Sequence, residues 1–269
     1  MSKLYLQGCG TALVTPFRGG AVDYDAYTSC IVRQVEAGVD FLVPLATTGE
    51  TPTLSTEERL RLLDITRKYS GGRPLLVGCG TNSLQGTLDN IRLLGPHGAD
   101  AYLVVVPYYN KPTQEGQYRY FKTVSEAADK PVVIYNVPGR TGANMTADTA
   151  IRLAEDCPNI IGTKEASGNY QQVSEIIRRA PEGFSVLSGD DDMTFAFMAT
   201  GGQGVVSVAS NVAPSEVKAL TEAMLRGDFL KARELHHRLS PLFRNCFVES
   251  NPIPVKAAMA KLGLMSREV

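Results

Sequence analysis

Much of what would mark a binding or catalytic class is missing from this sequence. None of the five cysteines (Cys9, Cys30, Cys79, Cys157 and Cys246) belongs to a C-x-x-C pair. Neither a zinc site nor a disulfide framework is therefore indicated, and a reducing compartment, the cytoplasm, is expected. Only three histidines occur. His97 falls in a helix-to-strand turn, and the adjacent His236 and His237 would point in different directions on a helix, a poor arrangement for joint metal ligands. No metal is expected. Nor does a Ser–His–Asp or Cys–His set stand out for nucleophilic catalysis. The segment Met1 to Gly10 lacks the apolar run of a secretory signal. No stretch approaches the roughly 20 apolar residues that a membrane helix needs. With 27 basic and 28 acidic residues, the charge balance gives no reason to expect nucleic acid or a membrane surface as partner. A small molecule is the better expectation.

What is present is an alternation. The 269 residues, 43% hydrophobic and 20% charged, suffice for a large core, and single α/β barrels run to about 250 residues. Short apolar, β-branched runs predict strands at Thr11–Thr15, Phe41–Leu45, Leu75–Cys79, Ala101–Val106, Val132–Asn136, Ile160–Lys164, Ser185–Ser188 and Gly204–Val208. Their near-continuous hydrophobicity suits strands buried on both faces. Segments of helical period lie between them. Ser55 with Glu58 makes a capping box for a helix over Glu57–Tyr69. Thr146 and Asn169 suit N-caps for Ala147–Glu155 and Tyr170–Arg179, and Gly38, Gly71 and Gly98 suit helix exits. Eight strand–helix units favour a closed (β/α)8 TIM barrel over an open doubly wound sheet. The absence of G-x-G-x-x-G after the first strand also weakens a dinucleotide-binding reading. After Pro214 the pattern is helical throughout: Ser215–Arg226, Phe229–Phe243 and Pro254–Leu262. We expect a barrel over residues 1–228 and a small C-terminal helical domain over 229–269.

Barrel active sites gather at the C-terminal ends of the strands. Lys164 ends an apolar strand there, where desolvation disfavours the ammonium and frees the lone pair for attack on a carbonyl. Gly162 lies on the same strand face and would leave room beneath the lysine stem. The plainer reading is a surface lysine paired with Glu165. Tyr135 ends the preceding strand, about 4.8 Å away, so its phenol can meet the amine and shuttle protons during imine formation. A rim aromatic is its plainer reading. Thr47-Thr48-Gly49 offers hydroxyls and backbone N–H groups in a tight turn, a concavity suited to carboxylate, though such turns are common. Arg140, in Pro-Gly-Arg-Thr-Gly, could grip a carboxylate bidentately or simply be solvated.

These residues, in order and flanked by Gly10-Thr11-Ala12-Leu13-Val14-Thr15-Pro16-Phe17 and by Asn251-Pro252-Ile253-Pro254-Val255-Lys256, resemble the pyruvate-dependent class I aldolase family of dihydrodipicolinate synthase and N-acetylneuraminate lyase. Within it the chain looks like the synthase branch. The resemblance implies a (β/α)8 barrel with a C-terminal helical domain, assembled as a homotetramer, a dimer of tight dimers. It implies that Lys164 forms a Schiff base with pyruvate and that Tyr135 donates and accepts protons. Thr47 would join a proton relay with Tyr135 and with Tyr109 of a neighbouring subunit, from the Tyr108-Tyr109-Asn110-Lys111-Pro112 segment that packs across the tight dimer. Thr48 would hold the pyruvate carboxylate, the backbone of Val206 would touch pyruvate, and Arg140 would receive the carboxylate of L-aspartate 4-semialdehyde. The implied reaction condenses the two substrates on the route to diaminopimelate and lysine, with no cofactor, since the imine is the electron sink.

The chain departs from the family pattern at three places. Ala46 stands where glycine is common, Thr163 replaces an aliphatic residue before the lysine, and the chain stops at Val269, roughly a helix earlier than relatives. A shortened helical domain, with the tetramer in question, is the expectation. Thr56, Arg59 and Gly86 occupy positions where lysine-regulated relatives carry charge that engages the effector, so weak or absent inhibition by lysine is expected. A sialic-acid lyase or ketodeoxy-sugar-acid aldolase would share the lysine and tyrosine, but Arg140 in its Arg-Thr-Gly context fits a short dicarboxylic substrate better. A non-catalytic keto-acid-binding barrel would not need every residue type that the mechanism requires.

Overall fold

Runs of valine, isoleucine and leucine become strands where both of their faces can be covered. In the computed structural model, which describes residues 4–269, the first half of the chain gives β1 (Gly8–Ala12), β2 (Phe17–Arg18), β3 (Ala21–Val22), α1 (Tyr24–Glu36), β4 (Phe41–Val43), α2 (Thr56–Tyr69), β5 (Leu76–Gly78), α3 (Leu84–Leu94), β6 (Ala101–Val105) and α4 (Gln114–Ala127). The second half gives β7 (Val132–Asn136), α5 (Pro138–Thr141), α6 (Ala147–Asp156), β8 (Ile160–Glu165), α7 (Tyr170–Arg179), β9 (Ser185–Ser188), α8 (Thr194–Ala199), β10 (Gly204–Ser207), α9 (Pro214–Leu225), α10 (Phe229–Asn245) and α11 (Ile253–Lys261). Eight strands form one parallel sheet in the order β4-β1-β10-β9-β8-β7-β6-β5. Its two edges meet through a parallel bridge between Leu42 and Leu75, and Leu42 N donates to the Pro74 carbonyl at 3.0 Å. That contact closes the sheet into the expected (β/α)8 barrel.

The period of two along each strand divides the core. One set, including Phe41, Leu76, Leu103, Val133, Ile161, Leu187 and Val206, fills the barrel interior. The alternate residues, such as Leu42, Val77, Val104, Ile134, Ile160 and Val186, pack beneath the helices. All five cysteines are free and buried. The helix starts read from the sequence are present. Ser55 and Glu58 bond reciprocally at the start of α2, and Thr146 and Asn169 cap α6 and α7.

The first strand lies three residues earlier than its apolar run predicts. Its sequence, GCGTA, is poor in the β-branched residues that signal a strand. Gly10 is required by packing rather than by propensity: a Cβ there would stand 2.0 Å from the Phe41 ring that fills the barrel floor. Leu13 to Thr15 leave the sheet, and Thr15 Oγ1 donates to the Gly49 carbonyl at 2.7 Å, tying this loop to the turn after β4. The β2–β3 hairpin was not expected. It turns at Gly19 and Gly20, both with positive φ (62° and 77°), and its two-residue strands are too short to show a period.

Candidate active site

β8 reads Ile-Ile-Gly-Thr-Lys-Glu and is buried along its length. Tyr135 of β7 and Lys164 of β8 are register partners, so both project into the barrel mouth from neighbouring strands. Lys164 is 4% exposed, and its amine lies 4.1 Å from the centroid of the Tyr135 ring. The two residues do meet, but through the ring face; no hydrogen bond joins amine and phenol among the described residues. An ammonium over an aromatic face is itself a favourable contact.

Glu165 is not the partner of Lys164. It faces the opposite side of β8, where its carboxylate accepts from Asn136 Nδ2 at 2.8 Å, Ser167 Oγ at 2.7 Å and Gln172 Nε2 at 3.4 Å. Burial pushes its pKa up to about 7, against the lowering effect of those donors. The role expected of Gly162 also needs correction. A Cβ on Gly162 would strike the Ser185 carbonyl at 2.4 Å, so that glycine admits strand β9. The room beside the lysine stem comes instead from Gly189, whose Cβ would stand 3.1 Å from Lys164 Cε and 2.8 Å from Ala166 Cβ.

Beyond β4 the chain turns through Leu45 at φ 57° and into a 3-10 turn over Thr47–Gly49 that ends on Glu50 at φ 54°. Thr48 is buried, and its hydroxyl accepts from Asn251 Nδ2 at 3.0 Å. The Arg140 segment is a single helical turn, α5, with Pro138 at its start and Gly142 in the left-handed conformation at its end. Arg140 Nη2 donates to the Asn251 carbonyl at 3.2 Å. Asn251 thus touches both the threonine turn and the guanidinium, although it is 203 residues from Thr48.

Two adjoining cavities open here. The smaller, of 200 Å³, is lined by Lys164, Tyr135, Thr47, Thr48 and Arg140 together with Gly189, Asp190, Phe247 and Asn251. The larger, of 580 Å³, shares Thr47, Tyr135, Val137, Arg140 and Asn251 and extends to Thr51, Arg59, Asn90 and Tyr108. Five of the seven residues singled out in the sequence therefore converge on the smaller cavity. Val206 does not line it: the side chain belongs to the barrel interior, on β10 opposite Gly10 of β1. Tyr109 lines neither cavity; it stands 88% exposed, with φ 71°.

Asn251, Asp190 and Phe247 were not singled out as site residues. Asp190 follows a strand end and could have been, whereas Asn251 and Phe247 sit in the loop after α10, which no rule for barrel strands reaches. Behind Asp190, Asp191 is buried and accepts from Ser207 Oγ at 2.5 Å and from the backbone N–H groups of Val208 and Ala209, both at 3.0 Å. It thereby fixes the loop that leaves β10; burial pushes its pKa up to about 6.

A buried amine at the barrel mouth, flanked by an aromatic ring, two hydroxyls and a guanidinium, suits addition to the carbonyl of an anionic substrate. The dihydrodipicolinate synthetase family model matches residues 5–269. The chain belongs to that family. It is 46% identical over 267 residues to the 4-hydroxy-tetrahydrodipicolinate synthase of Thermotoga neapolitana, covering 98% of this chain and 91% of that one. It is 49% identical to the enzyme of the same name from Koribacter versatilis, covering 96% and 87%. The dihydrodipicolinate synthase structure from Thermotoga maritima superposes with a TM-score of 0.97 at 44% identity, over 99% of this chain and 92% of its own. A second structure with the same score and identity, over 98% and 89%, is described as the first monomeric dihydrodipicolinate synthase variant. Membership makes this chain an enzyme, a lyase of the class I aldolase type.

Proposed function

We propose that this chain condenses pyruvate with L-aspartate 4-semialdehyde as a 4-hydroxy-tetrahydrodipicolinate synthase, in the cytoplasm, on the route to diaminopimelate and lysine. The observation that carries the reading is the buried Lys164 amine over Tyr135, in a cavity that also holds Thr47, Thr48 and Arg140. Lys164 attacks the ketone of pyruvate, and loss of water from the carbinolamine gives the imine. Removal of a methyl proton gives the enamine, whose carbon attacks the aldehyde. The amine of the second substrate then displaces Lys164 by transimination, closing the ring and freeing the enzyme. Each proton moved in these steps needs a group at the mouth, and Tyr135 and Thr47 serve, joined by Tyr109 of a second copy. Thr48 holds the pyruvate carboxylate, and Arg140 receives the carboxylate of the semialdehyde. No external cofactor enters, since the imine accepts the electrons.

We read residues 1–228 as the catalytic barrel, of which 1–3 lie outside the described residues, and 229–269 as a helical domain. The domain also serves the site, because Phe247 and Asn251 line the cavity. Reduction tests the central step. Pyruvate with borohydride should add one stable adduct, mapped to Lys164 by mass spectrometry of a digest. An adduct on Lys256 or Lys111, or none at all, would remove the claim.

A further inference from the structure

The turn that carries Thr47 and Thr48 is held from the far end of the chain. Glu50 ends that turn in a left-handed conformation at φ 54°, one that a non-glycine residue adopts only when its surroundings over-determine it. Its carboxylate accepts from Lys256 Nζ at 2.6 Å. The Lys256 side chain has no exposure, and its ammonium also stands 4.4 Å from the centroid of the Phe17 ring, on the β2–β3 hairpin. A fully buried lysine is rare and is retained only with its charge compensated. Here one carboxylate and one aromatic face supply that compensation. Burial lowers the lysine's pKa and the Glu50 carboxylate opposes it.

The grip is double. Asn251, five residues before Lys256, donates to the Thr48 hydroxyl, while Lys256 holds Glu50 two residues beyond. The Thr48 side chain and the end of the turn are therefore fixed by one segment that shares no strand or helix with them. Neither residue of the ion pair is needed for barrel closure, which rests on Leu42, Pro74 and Leu75. Lys256 lines neither cavity, so it acts through the turn and not on the substrate.

We propose that Lys256 is a positioning residue for pyruvate: its ion pair with Glu50 holds the Thr47–Thr48 turn in the shape that receives the substrate carboxylate. This rests on the reading of Thr48 given above.

The test measures two quantities on the full chain: the pyruvate dependence of initial rates, and the fraction of sites that borohydride traps. Lys256→Met removes the charge and keeps most of the volume. Half-saturating pyruvate should rise about tenfold or more, the scale of one charged hydrogen bond lost, while the rate per trappable site at saturation changes by less than about threefold. Lys256→Arg, which keeps the charge, should recover most of the pyruvate affinity. Glu50→Gln/Lys256→Met leaves no charge unpaired, so its thermal midpoint should return towards the parent while its pyruvate requirement stays raised. Should Lys256→Met fail to fold, the double variant carries the comparison. A parental pyruvate requirement per trapped site in either Met variant would overturn the proposal, since it would leave the ion pair a purely structural one. Failure to trap pyruvate on the parent chain would instead overturn the Lys164 reading, so the two failures are separable.

Discussion

Lys164 and Glu165 are consecutive, ionisable and buried, yet they serve different surroundings because successive strand residues face opposite sides of a sheet. The lysine meets an aromatic face in the barrel mouth; the glutamate meets neutral amides and a hydroxyl under the helices. Arg140 stands apart from both, tied among the described residues only to a backbone carbonyl. Its guanidinium keeps donors free for a ligand, so Arg140→Ala should reduce kcat/KM for the semialdehyde by roughly tenfold or more, about 1.5–3 kcal/mol. Trapping of pyruvate on Lys164 should persist. Kinetics with each substrate varied in turn check this, and a variant that lost trapping but kept semialdehyde affinity would reverse the assignment. Lys164, Tyr135, Thr47, Thr48 and Arg140 were legible in the sequence because each lies at or just beyond the end of an apolar strand, where a polar residue has no packing reason to be. Asn251 was not, because its meaning lies in a contact across 203 residues. Gly162 and Gly189 could not be told apart either: what a glycine makes room for depends on which neighbour approaches it.

At the scale of elements, β7 and β8 are linked twice in succession. Tyr135 and Lys164 pair towards the barrel mouth, and Asn136 and Glu165 pair on the other side. The second link has a pH signature. Folding raises the Glu165 pKa from the ordinary glutamate value of 4.5 to about 7, so between these values the folded state binds more protons than the unfolded one. Its contribution to stability is thus fully present below about pH 4.5 and is lost as pH rises through about 7. Glu165→Gln cannot titrate. Denaturant unfolding of parent and variant across this range should therefore show the parent's relative advantage shrinking with rising pH, and a constant difference would refute it. The groups facing Glu165 are Asn136 on β7, Ser167 in the next loop and Gln172 on α7, all uncharged, so no neighbouring titration mimics the effect. Strands such as β7 and β8 were readable because both faces are apolar. β1, built on two glycines, and the β2–β3 hairpin, with two-residue strands, carry too little pattern to be read.

The whole molecule raises the question of assembly. Tyr109 is 88% exposed and lines neither cavity, so its proposed part in the relay requires a second copy. Mixing inactive Tyr109→Phe with inactive Lys164→Ala subunits should restore part of the activity through hybrid sites. Subunits shown to exchange without any recovery would mean that each site is built within one chain. Arg59 lines the larger cavity and donates to Asn90 Oδ1 and Thr56 Oγ1. A guanidinium there repels an ammonium, and initial rates should be insensitive to L-lysine below the millimolar range; sub-millimolar inhibition would contradict that. The buried cysteines carry a different consequence. Burial raises every thiol, Cys30 to about 11 and Cys246 to about 12, with Cys9, Cys79 and Cys157 also raised. Since only the thiolate reacts, alkylating reagents must wait for the protein to open locally. The five thiols lie in or beside β1, α1, β5, α6 and α10, so each is a clock for its own sector, and their relative labelling rates would order the sectors of the barrel from the first to loosen to the last.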